Sequence, residues 1–322
     1  MEDPEIQYGA LVKTGLKMGV RKGWNGFVWM MKIVLPISLL TTLLDWSGWI
    51  GRLDFLLTPI MGLLHLPPTA ALPLLIGMLA NIYGAIAAMV VLPLNEGQMT
   101  LIGIFLLMAH NLIQEGIIQG KSGINPVKAT LFRIITASVT VMIIGPWLVS
   151  GPAATAAAGA LPPIHLPFAD MLWRWLQTTT ILCFKIFLII MFIMTLLETM
   201  KFLDWINYIV RFFSPLLKLM GLDAKVGLLW MTAIIFGLAY GGAVIVEEAK
   251  AEHLSKEDLE MLHLSIGINH SMVEDPPLFI SVGLNAFWLY IPRIVVAVIT
   301  VHLIRLWYRF RRYRSRSTKK PL

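Results

Sequence analysis

Long apolar runs alternate with short polar stretches along the whole chain, and several runs reach the roughly 20 residues that a bilayer span requires. Residues 5–22 interleave Ile6, Leu11, Leu16 and Val20 with Lys13, Lys17, Arg21 and Lys22, a pattern that predicts an amphipathic helix lying on a membrane face. The Gly-Trp-Asn-Gly sequence at 23–26 predicts a break before a span over about 27–44. Residues 46–65, with Trp46, Trp49, Arg52 and Asp54, read as an interfacial helix ending at Thr58-Pro59. The apolar run 69–94 is interrupted by Asn81, Tyr83 and Gly84; the next, 98–117, closes in the polar sequence His110-Asn111-Leu112-Ile113-Gln114-Glu115. A further span is predicted at 129–149, followed by an Ala- and Pro-rich stretch, 150–170, without Lys or Arg. The order then recurs: a span at 175–200, an interfacial stretch 202–220, a Gly/Tyr-interrupted run 225–249, a polar turn 250–260 and a last span 284–306.

The most polar sequence inside the apolar background is Asn269-His270-Ser271-Met272-Val273-Glu274-Asp275-Pro276-Pro277. His270 and Glu274 are four apart, so a helix would place them on one face until the prolines stop it. Ionisable groups at membrane depth are costly and face a cavity, a pathway or one another. Asn269, His270, Ser271, Glu274 and Asp275 are therefore candidate binding residues. His110, Asn111, Gln114 and Glu115 form a second set, and Asn81, Tyr83 and Tyr240 are candidate cavity walls. Glu247, Glu248, Glu252, Glu257, Asp258 and Glu260 read as a solvated turn that also takes in His253 and His263.

The two halves align. Lys32 to Asp45 matches Lys185 to Glu198 without a gap, Thr58-Pro59 matches Ser214-Pro215, and Tyr83-Gly84 matches Tyr240-Gly241. Glu115 pairs with Glu274, which sets Asn111 opposite His270, and the sequence from Arg133 matches that from Arg293. An asymmetric site centred on the second copy is expected. The Lys/acid pairs read as interfacial ends of their helices, and Arg133 and Arg293 as snorkelling helix starts.

Composition narrows the class. The 322-residue chain is 57% hydrophobic and 14% charged, with mean hydropathy +0.75, well below the charge content of soluble domains. The net charge of +7 is local: residues 301–322 hold eight Lys or Arg and no acid, and without them the chain carries −1. That is a juxtamembrane basic tail rather than a nucleic-acid surface, so no nucleic acid is expected as a partner. One cysteine, Cys183, excludes an internal disulfide or a multi-cysteine metal site. Basic residues at both ends and none in 150–170 place both termini in the cytoplasm by the positive-inside rule. Each half then crosses an odd number of times, the halves are inverted, and one of four runs in each is broken or re-entrant.

These features, from the Lys-to-acid first helix through the Tyr-Gly break to His-Ser-x-x-Glu-Asp-Pro, resemble the Gate, or nucleoside-recognition, family, whose relatives include spore maturation membrane proteins and the membrane part of ferrous-iron transport protein B. No Gly-x-x-x-x-Gly-Lys-Ser/Thr occurs, so the nucleotide-driven step of that iron transporter does not carry over. The resemblance implies two Gate copies in an all-α polytopic membrane protein of inverted repeats. Its parts are an interfacial helix (1–24), a first repeat (25–149), an extracytoplasmic linker (150–172), a second repeat (173–306) and a cytoplasmic tail (307–322). The expected function is transporter- or channel-like, with a small polar solute or ion, nucleoside-like or cationic, bound at mid-membrane in the inner membrane. The alternative is a non-transporting scaffold. Expected partners are the lipid bilayer, the solute or ion, and a second copy or another membrane protein. No cofactor is expected, and no His-Glu-x-x-His or Gly-x-Ser-x-Gly supports an enzyme.

Overall fold

In the computed structural model, the described residues are 4–49, 54–149, 166–203, 214–222 and 255–317, with part of 205–237. Every regular element among them is helical. The first repeat comprises α1 (Pro4–Trp46), α2 (Asp54–Leu63), α3 (Ala71–Leu79), α4 (Ile82–Met89), α5 (Glu96–Ala109), α6 (Leu112–Lys121) and α7 (Pro126–Leu148). The second comprises α8 (Phe168–Phe202), α9 (Ser214–Met220), α10 (Lys256–Asn269), α11 (Pro276–Ser281) and α12 (Ala286–Ser317). Between α9 and α10, residues 229–235 are helical. The polar turn at 250–254, and Tyr240-Gly241, fall outside the described residues.

Among the described residues, five helices are long and apolar enough to cross a membrane: Gly9–Trp46, Glu96–Lys121, Pro126–Leu148, Phe168–Phe202 and Ala286–Tyr313. A further candidate, Leu57–Leu63 with Pro68–Leu79, is bent by 86°. Ile135, Ile143, Phe192 and Leu303 stand exposed along α7, α8 and α12, an apolar outer surface suited to lipid. The protein is an all-α polytopic membrane protein.

Two expectations about the first 65 residues change. The N-terminal amphipathic stretch does not lie apart from the first span, because α1 runs unbroken from Pro4 to Trp46. Its glycines are a packing stripe, not a break. A Cβ on Gly15 would come 2.7 Å from Thr199 Cα, and one on Gly19 2.4 Å from Thr195 Cα. Glycines four apart let α1 lie backbone to backbone, antiparallel, on α8. Lys22 pairs with Glu198 at 2.8 Å, as does Lys201, so Glu198 is a buried partner within this helix pair rather than a free interfacial end. Likewise α2 does not end at Thr58-Pro59 but continues through Pro59 to Leu63.

The core is built by α5, α7, α10 and α12, with α5 touching both α7 and α12 and α10 touching both α12 and α7. The two halves of this core repeat in register. Both α5 and α10 have 14 residues, each capped by a side chain, Asn95 accepting from Gln98 N–H and Ser255 from Asp258 N–H. Both α7 and α12 are preceded by an asparagine whose side chain accepts a backbone N–H, Asn125 from Lys128 and Asn285 from Phe287. His263 lies in α10 and is buried, not in a solvated turn, because α10 is the inner helix of its repeat; Gln119 Nε2 donates to its carbonyl at 3.0 Å.

Candidate functional site

Helices α5 and α10 end at His110 and His270, both with extended backbone, and the next residue in each case is left-handed: Asn111 at φ 49° and Ser271 at φ 52°. Each break is pinned by a neighbouring element. Asn111 N–H donates to Gly77 O at 3.0 Å, and Ser271 N–H to Ala233 O at 3.2 Å. An unwound segment in an apolar interior needs such substitutes for its lost helical bonds.

The orphan carbonyls at the two helix ends meet the same pair of side chains in each repeat. His110 Nδ1 lies 2.8 Å from Leu106 O, and His270 Nδ1 lies 3.0 Å from Ile266 O. Arg133 donates from Nε to Met108 O (2.9 Å) and from Nη2 to His110 O (2.8 Å). Arg293 donates in the same way to Ile268 O (3.2 Å) and His270 O (2.6 Å). The arginines are 1% and 0% exposed. They do not snorkel: each is the eighth residue of its helix, turned inward onto the negative end of the neighbouring one.

This geometry corrects the alignment. His110 is the counterpart of His270, Asn111 of Ser271 and Asp275 of Glu115, at the same spacing that relates Arg133 to Arg293. Pairing Glu115 with Glu274 was one residue out, since two adjacent acids offered the match. Nor do His270 and Glu274 share a helix face, because α10 stops at His270 and Glu274 follows a left-handed turn.

The four ionisable groups converge between the repeats. The imidazole rings stack at 4.9 Å, tilted by 34°. Glu115 Oε1 lies 3.1 Å from His270 Nε2 and 3.3 Å from His110 Nε2, while Oε2 lies 2.6 Å from Arg133 Nη1. Asp275 Oδ2 is 3.5 Å from His110 Nε2 and has no hydrogen-bond partner. These four side chains are buried, as are Arg133 and Arg293. A carbonyl only accepts, so each ring carries a proton on Nδ1, and each Nε2 faces the centre, that of His270 at hydrogen-bond distance from Glu115 Oε1. The Nε2 atoms of two imidazoles and Oε1 of Glu115 thus face one small volume, with Asp275 Oδ2 beside His110 at its edge.

The other predicted residues lie around or away from this point. Glu274 is half-buried and, with Tyr83, lines a small cavity of about 150 Å³ against Trp29, Met30 and Ile190. Asn81 caps α4 by accepting from Gly84 N–H at 2.8 Å, a structural role. Gln114 is exposed on the outer face of α6 and takes no part, because the left-handed turn at Asn111 directs Glu115 inward instead. Asn111 holds its break through the backbone rather than its side chain. Asn269 is buried, its Oδ1 unpartnered, at the wall of a groove of about 780 Å³ that is otherwise almost wholly apolar. Tyr240 lies outside the described residues. Sequence reasoning missed the inward role of Arg133 and Arg293; the signal was their repetition at one fixed spacing.

No solved structure matches the chain. It is 28% identical over 304 residues, 92% of this chain and 95% of the relative, to the "Uncharacterized membrane protein YvoD" of Bacillus subtilis (strain 168). Residues 27–145, covering most of the first repeat including His110, Glu115 and Arg133, match the family model Gate, described as nucleoside recognition, so over this stretch the chain is similar to that family.

Proposed function

We propose that this protein carries a small polar solute or ion across the inner membrane, using the buried cluster between its inverted repeats as the binding site, with both termini cytoplasmic. One observation carries the reading: the polar ends of two broken helices, one per repeat, meet at His110, His270, Glu115 and Asp275 in an otherwise apolar core. Discontinuous helices from inverted repeats are how many secondary transporters build a central site. Glu274, the chain neighbour of Asp275, lines a separate small cavity with Tyr83, and that cavity supplies the approach to the site.

The test is uptake of radiolabelled uridine, and separately of Zn²⁺, into proteoliposomes of the full chain. Uptake of one of these is expected for the wild type. Glu115→Gln and Asp275→Asn should each lower it at least tenfold while the protein still elutes as one folded species. Uptake unchanged in both variants, or absent for every probe in the wild type, overturns the reading.

A second reading, a non-transporting membrane scaffold, is favoured by the close ion pairing of Glu115 with Arg133. It predicts a partner membrane protein, or a second copy, that co-purifies in constant ratio and is lost when the exposed Trp205 and Tyr208 after α8 are replaced by Ser.

A further inference from the structure

We infer that His110 Nε2, His270 Nε2, Glu115 Oε1 and Asp275 Oδ2 form a binding site for one divalent first-row transition-metal ion of the zinc type. This rests on the reading above that the cluster is the binding site, and names the ligand class.

Geometry is the first support. Metal–ligand distances of about 2.0–2.1 Å to imidazole nitrogen and carboxylate oxygen put tetrahedral ligand atoms about 3.3 Å apart. Glu115 Oε1 lies 3.1 Å from His270 Nε2 and 3.3 Å from His110 Nε2, so these three atoms are spaced for one ion, and Asp275 Oδ2, 3.5 Å from His110 Nε2, completes the shell by turning toward it. His110, Glu115 and His270 each offer one ligand atom, all within 4.8 Å of one another.

The supporting contacts are the second. Each histidine donates Nδ1–H to a carbonyl one turn back in its own helix, which fixes the ring and aims Nε2 inward. Glu115 spends one oxygen on Arg133 and keeps the other for the centre. Asp275 Oδ2 is buried without any hydrogen bond. Without a positive species between them, these lone pairs repel.

Charge is the third. Arg133 and Arg293 donate to the carbonyl ends of α5 and α10, each worth about half a negative charge. About half of the arginine charge is thereby balanced by the helix ends, and with Glu115 and Asp275 the cluster keeps a net of about one negative charge to face a dication. Two imidazoles with two carboxylates suit zinc and its neighbours better than calcium or magnesium, which take all-oxygen shells.

The purified full chain, stripped with a chelator and dialysed, is titrated with Zn²⁺ and with Co²⁺. One Zn²⁺ per chain is expected, with the intense visible bands of tetrahedral Co²⁺. In His110→Gln/His270→Gln the affinity should fall by more than the 10–100-fold that a lost supporting contact costs. If that variant misfolds, X-ray absorption of the Zn²⁺-loaded wild type decides, with two imidazole nitrogens expected at the metal. Absence of stoichiometric Zn²⁺, octahedral Co²⁺, or a shell without imidazole overturns the inference; the first outcome leaves a proton alone between the rings and Glu115. Uridine uptake without bound metal sinks this inference but not transport. Bound metal without flux of any probe sinks transport and leaves a structural metal site.

Discussion

Buried Arg133 does three things that no other side chain can do together. Arg133 satisfies two carbonyls at the end of α5 and places its third nitrogen 2.6 Å from Glu115. Removing one member of a buried ion pair costs about 3–5 kcal/mol, because the other is left charged and unpaired. Arg133→Met should therefore destabilise the protein by about that much in a denaturant titration in detergent. The double variant Arg133→Met/Glu115→Met should recover part of the loss, with a coupling of about 0.5–3 kcal/mol. Strict additivity would mean that the 2.6 Å contact contributes nothing. Arg133→Lys is not a rescue, since an ammonium lacks the planar fork that spans two carbonyls and a carboxylate.

The decisive elements are the ones that break and the ones that touch most closely. Left-handed backbone costs a β-branched residue roughly 1–2 kcal/mol, while glycine adopts it freely. Asn111→Val should thus lower the melting temperature and Asn111→Gly should leave it nearly unchanged; equal effects would show that φ 49° is not required there. In α1, Gly19 leaves no room, with Thr195 Cα only 2.4 Å from an added Cβ, whereas nothing lies within 4 Å of Gly9. Gly19→Leu should cost about 1–3 kcal/mol or more by forcing α1 away from α8, and Gly9→Leu close to nothing. Thermal unfolding of the two variants side by side checks this, and similar midpoints would remove the close α1–α8 contact.

Across the whole molecule, Lys128 pairs with Glu260 at 2.9 Å and Arg312 with Glu257 at 3.1 Å, so the first turn of α7 and the last turns of α12 meet the start of α10 at one end. In a Cys183→Ser background, Val127→Cys and Tyr313→Cys should react with an impermeant maleimide only from the cytoplasmic side, and Phe287→Cys only from the other. Labelling of all three from one side would rule out the inverted arrangement.

Periodicity and span length were enough to establish a multi-pass helical protein, and the internal repeat pointed to two related halves, because span length and repetition are one-dimensional properties. They also singled out His270, Glu115 and Asp275, since buried charge stands out in apolar sequence. Register and direction were not legible. Glu274 and Asp275 are adjacent, and only the contacts of His110, Arg133 and Arg293 reveal which acid is the counterpart of Glu115. Gly23 reads as the start of a break until α8 is seen lying on Gly15, Gly19 and Gly23. Composition selects a residue's environment, but which of two neighbours turns inward depends on a backbone torsion, and that torsion is held by hydrogen bonds from elements distant in the chain.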